Sequence, residues 1–147
     1  TMVNPSPSAT MTTGLLASVD VLCLNEIEFA DLFGEGKISP LADPEAAVQK
    51  VLASGVATAV LTLGSKGSIA AVTHGVYQQE CYRVDTVDTP CAGDTFMGTL
   101  AAFQASGQLE GHNIKQALDV AAKAAALATT KVGAQQSIPT YQQVVEF

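Results

Sequence analysis

Val19-Asp20-Val21-Leu22-Cys23-Leu24, followed at once by Asn25-Glu26-Ile27-Glu28-Phe29-Ala30-Asp31-Leu32-Phe33, reads as a strand that turns directly into a helix. The first six residues form a nearly continuous apolar run of strand length, the pattern of a strand covered on both faces. Asn25 is a candidate N-cap for a helix over Glu26 to Phe33, with Gly34 and Gly36 closing it.

Working outward, Thr1-Met2-Val3-Asn4 reads as a short strand running into Pro5-Ser6-Pro7. With no initiator Met before it, the expectation is that a further segment precedes this one. Downstream, Asp43 and Pro44 mark the start of a helix over Pro44 to Ala53, with Ala47, Val48, Val51 and Leu52 as its apolar stripe and Gly55 as its stop. Ala57 to Leu63 is aliphatic and β-branched on both faces, as a central parallel strand is. Gly64-Ser65-Lys66-Gly67 turns into Ser68 to Val72, and Gly75 separates this strand from Val76 to Val84, an antiparallel pair at one edge. Gly93-Asp94 opens a helix over Thr95 to Ala105, and Asn113 caps an alanine-rich one over Ile114 to Thr130. Strand, helix, strand, hairpin, helix, helix predicts an α/β layered sheet, whose ligands gather at the carboxyl ends of the parallel strands.

The composition narrows what such a sheet can serve. Of 147 residues, 48% are hydrophobic and 14% charged, enough to bury one substantial core. A formal net charge of −7 argues against a surface for nucleic acid or anionic lipid, so an anionic ligand must be held locally by amides and a metal. Cys23, Cys81 and Cys91 are odd in number and show no paired spacing, which points to reduced thiols rather than disulfides or zinc. No apolar run reaches membrane-spanning length and no signal peptide opens the chain, so a cytosolic location is expected. His74 and His112 lack partners at metal spacing and read as exposed; Tyr77, Tyr82 and Phe103 read as core; Lys66 reads as a solvated charge.

The chemistry concentrates in Val87-Asp88-Thr89-Pro90-Cys91-Ala92-Gly93-Asp94-Thr95-Phe96. Small residues at Ala92 and Gly93 let backbone approach a ligand, and the helix beginning there aims free N–H groups and its positive end at the same point. A carboxylate at Asp94 can accept a proton from an attacking hydroxyl while those amides stabilise charge on a transferred phosphoryl group. Asp is also among the commonest helix caps, so Gly-Asp by itself leaves a plain capped helix open.

The longer pattern, Asp88-Thr89-Pro90-Cys91-Ala92-Gly93-Asp94-Thr95-Phe96, resembles the C-terminal signature of the ribokinase-like (phosphofructokinase-B) sugar kinases. Asn4-Pro5-Ser6-Pro7 resembles the family's Asn-Pro-Ala-Pro strand end, Asn25-Glu26-Ile27-Glu28 its Asn-x-x-Glu motif, and Thr62-Leu63-Gly64-Ser65-Lys66-Gly67 its Thr-Leu-Gly-x-x-Gly turn. Thr130 to Pro139 is similar to the tail of ribokinase itself. The resemblance covers essentially the whole chain and implies a three-layer α/β/α, Rossmann-like sheet. It further implies that residues 1–147 are one partial domain, the ATP-binding and catalytic C-terminal half of such a kinase, whose N-terminal half supplies the Gly-Gly sugar-binding segment and a dimerising β-sheet lid.

By that resemblance Asp94 is the catalytic base facing the sugar substrate, with Ala92, Gly93 and the Asp94 amide as anion hole. Asn25 and Glu28, one helical turn apart, organise Mg²⁺ and its waters around the phosphates of ATP. Thr62, Gly64, Gly67 and Thr89 line the nucleotide. A monovalent cation, usually K⁺, is implied at Asp88, the carbonyls of Pro90, Ala128, Lys131 and Gly133, and the Ser137 hydroxyl, an oxygen set suited to a hard, singly charged ion.

The sequence departs from the family at several points. Pro90 and Cys91 stiffen the loop before the anion hole and put a thiol near it, Met97 stands for an Asn frequent in ribokinases, and Ala122 stands where relatives place Asn or His beside the adenine. The expected activity is ATP-dependent phosphorylation of a small sugar, ribose by preference, in a homodimeric full-length protein, the isolated piece being inactive. Fructose, a nucleoside or another ketose is the alternative acceptor, and a non-catalytic nucleotide-binding module the alternative of another class.

Overall fold

The computed structural model describes residues 1–6, 8, 11–34, 38–107, 109 and 113–147; Pro7, Gly36 and His112, singled out above, lie outside the described residues. The chain divides into two compact units, Thr1–Gln78 and Gln79–Phe147.

The first unit is built on a sheet of five strands in chain order: β1 (Met2–Val3), β2 (Val21–Asn25), β3 (Thr58–Thr62), β4 (Ser68–Val72) and β5 (Gly75–Gln79). β1, β2 and β3 run parallel, and β4 returns antiparallel to β3. Parallel neighbours need crossovers. The four-residue helix α1 (Thr13–Leu16) lies in the first, and α2 (Glu26–Phe33) with α3 (Pro44–Leu52) in the second. The tight link to β4 is a single 3₁₀ turn over Gly64–Lys66.

β2 and β3 are each buried at their first four positions, in keeping with the apolar runs read there, and β4 is buried at every position. Leu22, Leu24, Phe29, Val48, Val51 and Leu61 are fully buried in one core that α2 and α3 share with the sheet. The helix starts follow the sequence closely. Asn25 Oδ1 accepts the N–H groups of Ile27 and Glu28, each at 2.9 Å, and Glu28 Oε2 accepts the Asn25 N–H at 2.9 Å, a reciprocal capping box. Asp43 Oδ1 accepts the Ala46 N–H at 3.0 Å ahead of Pro44. Each such cap is worth about 1 kcal/mol.

The expected strand over Val76 to Val84 is shorter: β5 ends at Gln79, and Glu80 to Asp85 make no strand pairing. Tyr82 and Val84 remain half-buried between exposed Cys81, Arg83 and Asp85, so the period-two pattern survives in extended chain that has no partner strand.

The second unit is helical: α4 (Ala92–Ala105), α5 (Asn113–Ala128) and α6 (Tyr141–Glu146). α4 packs along α5, whose Ala117, Ala121 and Ala124 are buried with Ile114 and Leu118. The helix bounds differ from expectation: α5 takes in Asn113 and ends at Ala128, two residues before Thr130. α4 starts three residues before Thr95, because Cys91 rather than Asp94 is its N-cap residue. α6 was not expected, although its signal is present: Thr140 and Gln143 form a capping box ahead of buried Val144. Among the described residues no helix is long and apolar enough to cross a membrane.

Candidate functional site

In the first unit, the carboxyl ends of β1, β2 and β3 bring Asn4, Asn25 and Thr62 to one edge of the sheet. Asn25 is in register with Thr62, and Thr62 with Ser68. The Asn4 amide Nδ2 donates to the Cys23 carbonyl at 3.0 Å and to Glu28 Oε2 at 3.0 Å. Glu28 is therefore held from two sides on one oxygen, is only 6% exposed, and keeps Oε1 free of hydrogen bonds among the described residues. Asn25 spends its Oδ1 on the cap, leaving its NH₂ free of partners among the described residues.

Thr62 Oγ1 reaches the Leu24 carbonyl only at 3.5 Å. Beyond it Gly64 and Gly67 take φ of 56° and 92°. Gly67 has ψ −134°, a conformation in which any Cβ is strained. Lys66 is not simply solvated, since its Nζ donates to the Leu41 carbonyl at 2.8 Å and ties the turn to the segment before α3.

In the second unit the decisive feature is the first turn of α4. Cys91 makes no side-chain cap bond, the Ala92 N–H turns back to the Thr89 carbonyl at 3.2 Å, and the Thr95 N–H closes on the Cys91 carbonyl at 2.9 Å. The N–H groups of Gly93 and Asp94 between them make no hydrogen bond among the described residues. Two open amides at the positive end of a 14-residue helix are donors that an anion could accept from. Asp94 is exposed in the same turn rather than buried as the cap of its own helix. It is also among the residues lining a cleft of about 740 Å³ between α4, α5 and α6.

The loops flanking this turn are tied by Asp88. Its Oδ1 accepts the Thr89 N–H at 3.0 Å and its Oδ2 the Gly133 N–H at 3.2 Å, while the Thr129 carbonyl accepts from Val87 at 2.7 Å and Asp88 at 3.0 Å. The carbonyls of Pro90, Ala128, Lys131 and Gly133 accept no hydrogen bond among the described residues. Ser137 is fully buried and donates to the Ala134 carbonyl at 2.7 Å. These oxygens fit a monovalent cation in kind, being neutral carbonyls with one carboxylate. No group of three or more His, Cys, Asp or Glu residues that could hold a metal occurs among the described residues. Glu28 Oε1, free of hydrogen bonds among the described residues, is a carboxylate oxygen that could meet a divalent ion directly or through water.

The thiols separate by environment. Burial, with the Glu28 charge adding to it, pushes the Cys23 thiol up to about 12. Cys91 is buried and takes the Thr95 hydroxyl at 3.7 Å, while Cys81 is exposed. Tyr82, expected in the core, is half-buried and donates its hydroxyl to Asp119, a bond that raises the phenol above its ordinary range. Lys123 pairs with Asp119 at 3.1 Å and lies 5.6 Å from the Tyr82 ring centre. The i,i+4 spacing of Asp119 and Lys123 was legible; their aromatic partner was not. Tyr77 and Phe103 are likewise half-buried, Ala122 is buried, and His74 is exposed as expected.

Comparison with known proteins bears on the fold and the family. The chain is 33% identical over 144 residues to the ribokinase of Staphylococcus aureus (strain COL), covering 98% of this chain and 46% of that protein. Its fold is similar to that of Arabidopsis thaliana ribokinase complexed with ribose and ATP, with a TM-score of 0.76, 32% identity, and 92% of this chain against 42% of that one. It is also similar to a double-mutant fructokinase of Vibrio cholerae O395 in a fructose, ADP and potassium ion bound form, with a TM-score of 0.77, 26% identity, and 95% of this chain against 44% of that one. The chain thus spans less than half the length of these relatives. A family profile described as pfkB family carbohydrate kinase matches residues 1–141, and with the ribokinase-like α/β fold this establishes that the chain belongs to the pfkB family of carbohydrate kinases.

Proposed function

We propose that this chain is the nucleotide-binding and catalytic half of an ATP-dependent sugar kinase that phosphorylates a primary hydroxyl of a small sugar, ribose by preference. The carrying observation is the first turn of α4, where the open Gly93 and Asp94 amides lie beside an exposed carboxylate. Asp94 takes the proton of the attacking hydroxyl. The Gly93 and Asp94 amides, with Ala92 giving close backbone approach, receive the charge of the phosphoryl group in transfer. Thr62, Gly64, Gly67 and Thr89 line the nucleotide.

Asn25 and Glu28 hold the waters of Mg²⁺, and Asp88, Pro90, Ala128, Lys131, Gly133 and Ser137 hold a monovalent cation. When bound, both ions offset phosphate charge. The chain's own part is to orient: the capping box and Asn4 fix Glu28, and Asp88 fixes the loop ahead of the anion hole.

The likeness to a fructokinase keeps fructose as the second acceptor, and a substrate screen of the full-length protein separates the two. In that protein Asp94→Asn is expected to lower kcat by about a hundredfold or more with little change in KM for ATP; parental activity would remove Asp94 from the role of base. The isolated 147 residues are expected to show little kinase activity, and robust sugar phosphorylation by them would refute the half-enzyme reading.

A further inference from the structure

Ser68 is 2% exposed, and its hydroxyl is the one buried side-chain polar atom among the described residues that has no hydrogen-bond partner. An orphaned buried hydroxyl is costly and rare enough to require a reason. Its position supplies one. Register places Asn25, Thr62 and Ser68 side by side across β2, β3 and β4, and register partners share a sheet face. The rows behind them on that face are apolar: Cys23, Val60 and Ala70, then Val21, Thr58 and Val72 with Thr58 as the sole polar member. The end row is therefore a polar shelf, and it is under-bonded throughout. The Asn25 NH₂ has no partner among the described residues, the Thr62 hydroxyl has one weak bond at 3.5 Å, and the Ser68 hydroxyl has none.

We infer that Ser68 is a positioning residue for Thr62. Cross-strand Thr–Ser pairs lie within reach of a hydrogen bond after one χ1 rotation. When Thr62 turns its hydroxyl from the Leu24 carbonyl to a phosphate-bearing ligand, the Ser68 hydroxyl becomes its second partner and holds that rotamer. Ser68 itself is too buried to touch the ligand. This inference rests on the proposal that Thr62 lines the nucleotide.

The test uses the full-length kinase with Ser68→Ala, Thr62→Val and the double variant, reading KM for ATP, kcat and thermal melting. Ser68→Ala is expected to raise KM for ATP by about threefold to tenfold, the worth of one neutral hydrogen bond, with kcat nearly unchanged. Its melting temperature should hold or rise, since an unpaired buried hydroxyl is removed. The double variant should be no worse than Thr62→Val alone. If Thr62→Val raises KM but Ser68→Ala does not, the positioning role is overturned and Ser68 is a structural orphan. If Thr62→Val leaves KM untouched, the nucleotide-lining role of Thr62 falls, and the Ser68 inference with it.

Discussion

Asn4 and Glu28 are joined side chain to side chain at 3.0 Å although 24 residues separate them. The same Glu28 oxygen closes the capping box of α2, so a single buried carboxylate fastens the end of β1, the end of β2 and the start of a helix. Glu28→Ala leaves the Asn4 amide and the Asn25 N–H without that partner. It is expected to lower unfolding free energy by about 2–3 kcal/mol in urea titration. Glu28→Gln keeps an acceptor and should cost about half as much; equal costs would mean that the negative charge, not the hydrogen-bond geometry, matters.

Alkaline pH should expose Cys23. Its thiol titrates near 12 in the fold against an ordinary 9.0, so the native chain binds more protons than the unfolded one between these values. Stability is then undiminished below pH 9 and falls through the interval, by about 1.4 kcal/mol per pH unit at the steepest. Cys23→Ala should flatten that slope in denaturant titrations at pH 8 to 11. In the native protein at pH 8 a thiol reagent should label Cys81 quickly and Cys23 not at all.

Asp88 ties its own loop to Gly133. Asp88→Ala should cost about 1–2 kcal/mol and, in the full-length enzyme, remove any stimulation of activity by K⁺. Asp88→Asn should recover part of the stability without the stimulation. Stimulation that survives both changes would exclude Asp88 as a cation ligand.

Gly67→Ala imposes a Cβ at φ 92° and ψ −134°. The expected loss is about 1–3 kcal/mol, read as a lower melting temperature. An unchanged melt would show that the turn after β3 relaxes freely.

Legibility in the sequence followed the range of the forces involved. Asn25, Asp43 and Pro44 act within one turn, and so the starts of α2 and α3 were correctly placed. The burial of β2 and β3 could be read because their runs are aliphatic on both faces. What failed depended on partners remote in the chain: the end of β5, the Tyr82–Asp119 bond, and the Asn4–Glu28 contact. α4 was started late because Asp94 looks like a cap, whereas a cysteine with no capping bond occupies that place. The candidate residues of the nucleotide and cation sites came from the family pattern. Geometry adds that the Ala92 amide is already engaged and that two amides, not three, stand open.

The bare start of α4 has a thermodynamic corollary. A helix whose first donors are left to solvent gives up stability in the free protein and recovers it when a guest supplies the acceptors, so occupancy should be visible as a rise in melting temperature with added anionic ligand. Evolution could have satisfied those donors by placing a serine or aspartate at position 91. Such a cap would stiffen the fold and compete with the guest for the same protons, whereas the cysteine found there makes no side-chain cap bond.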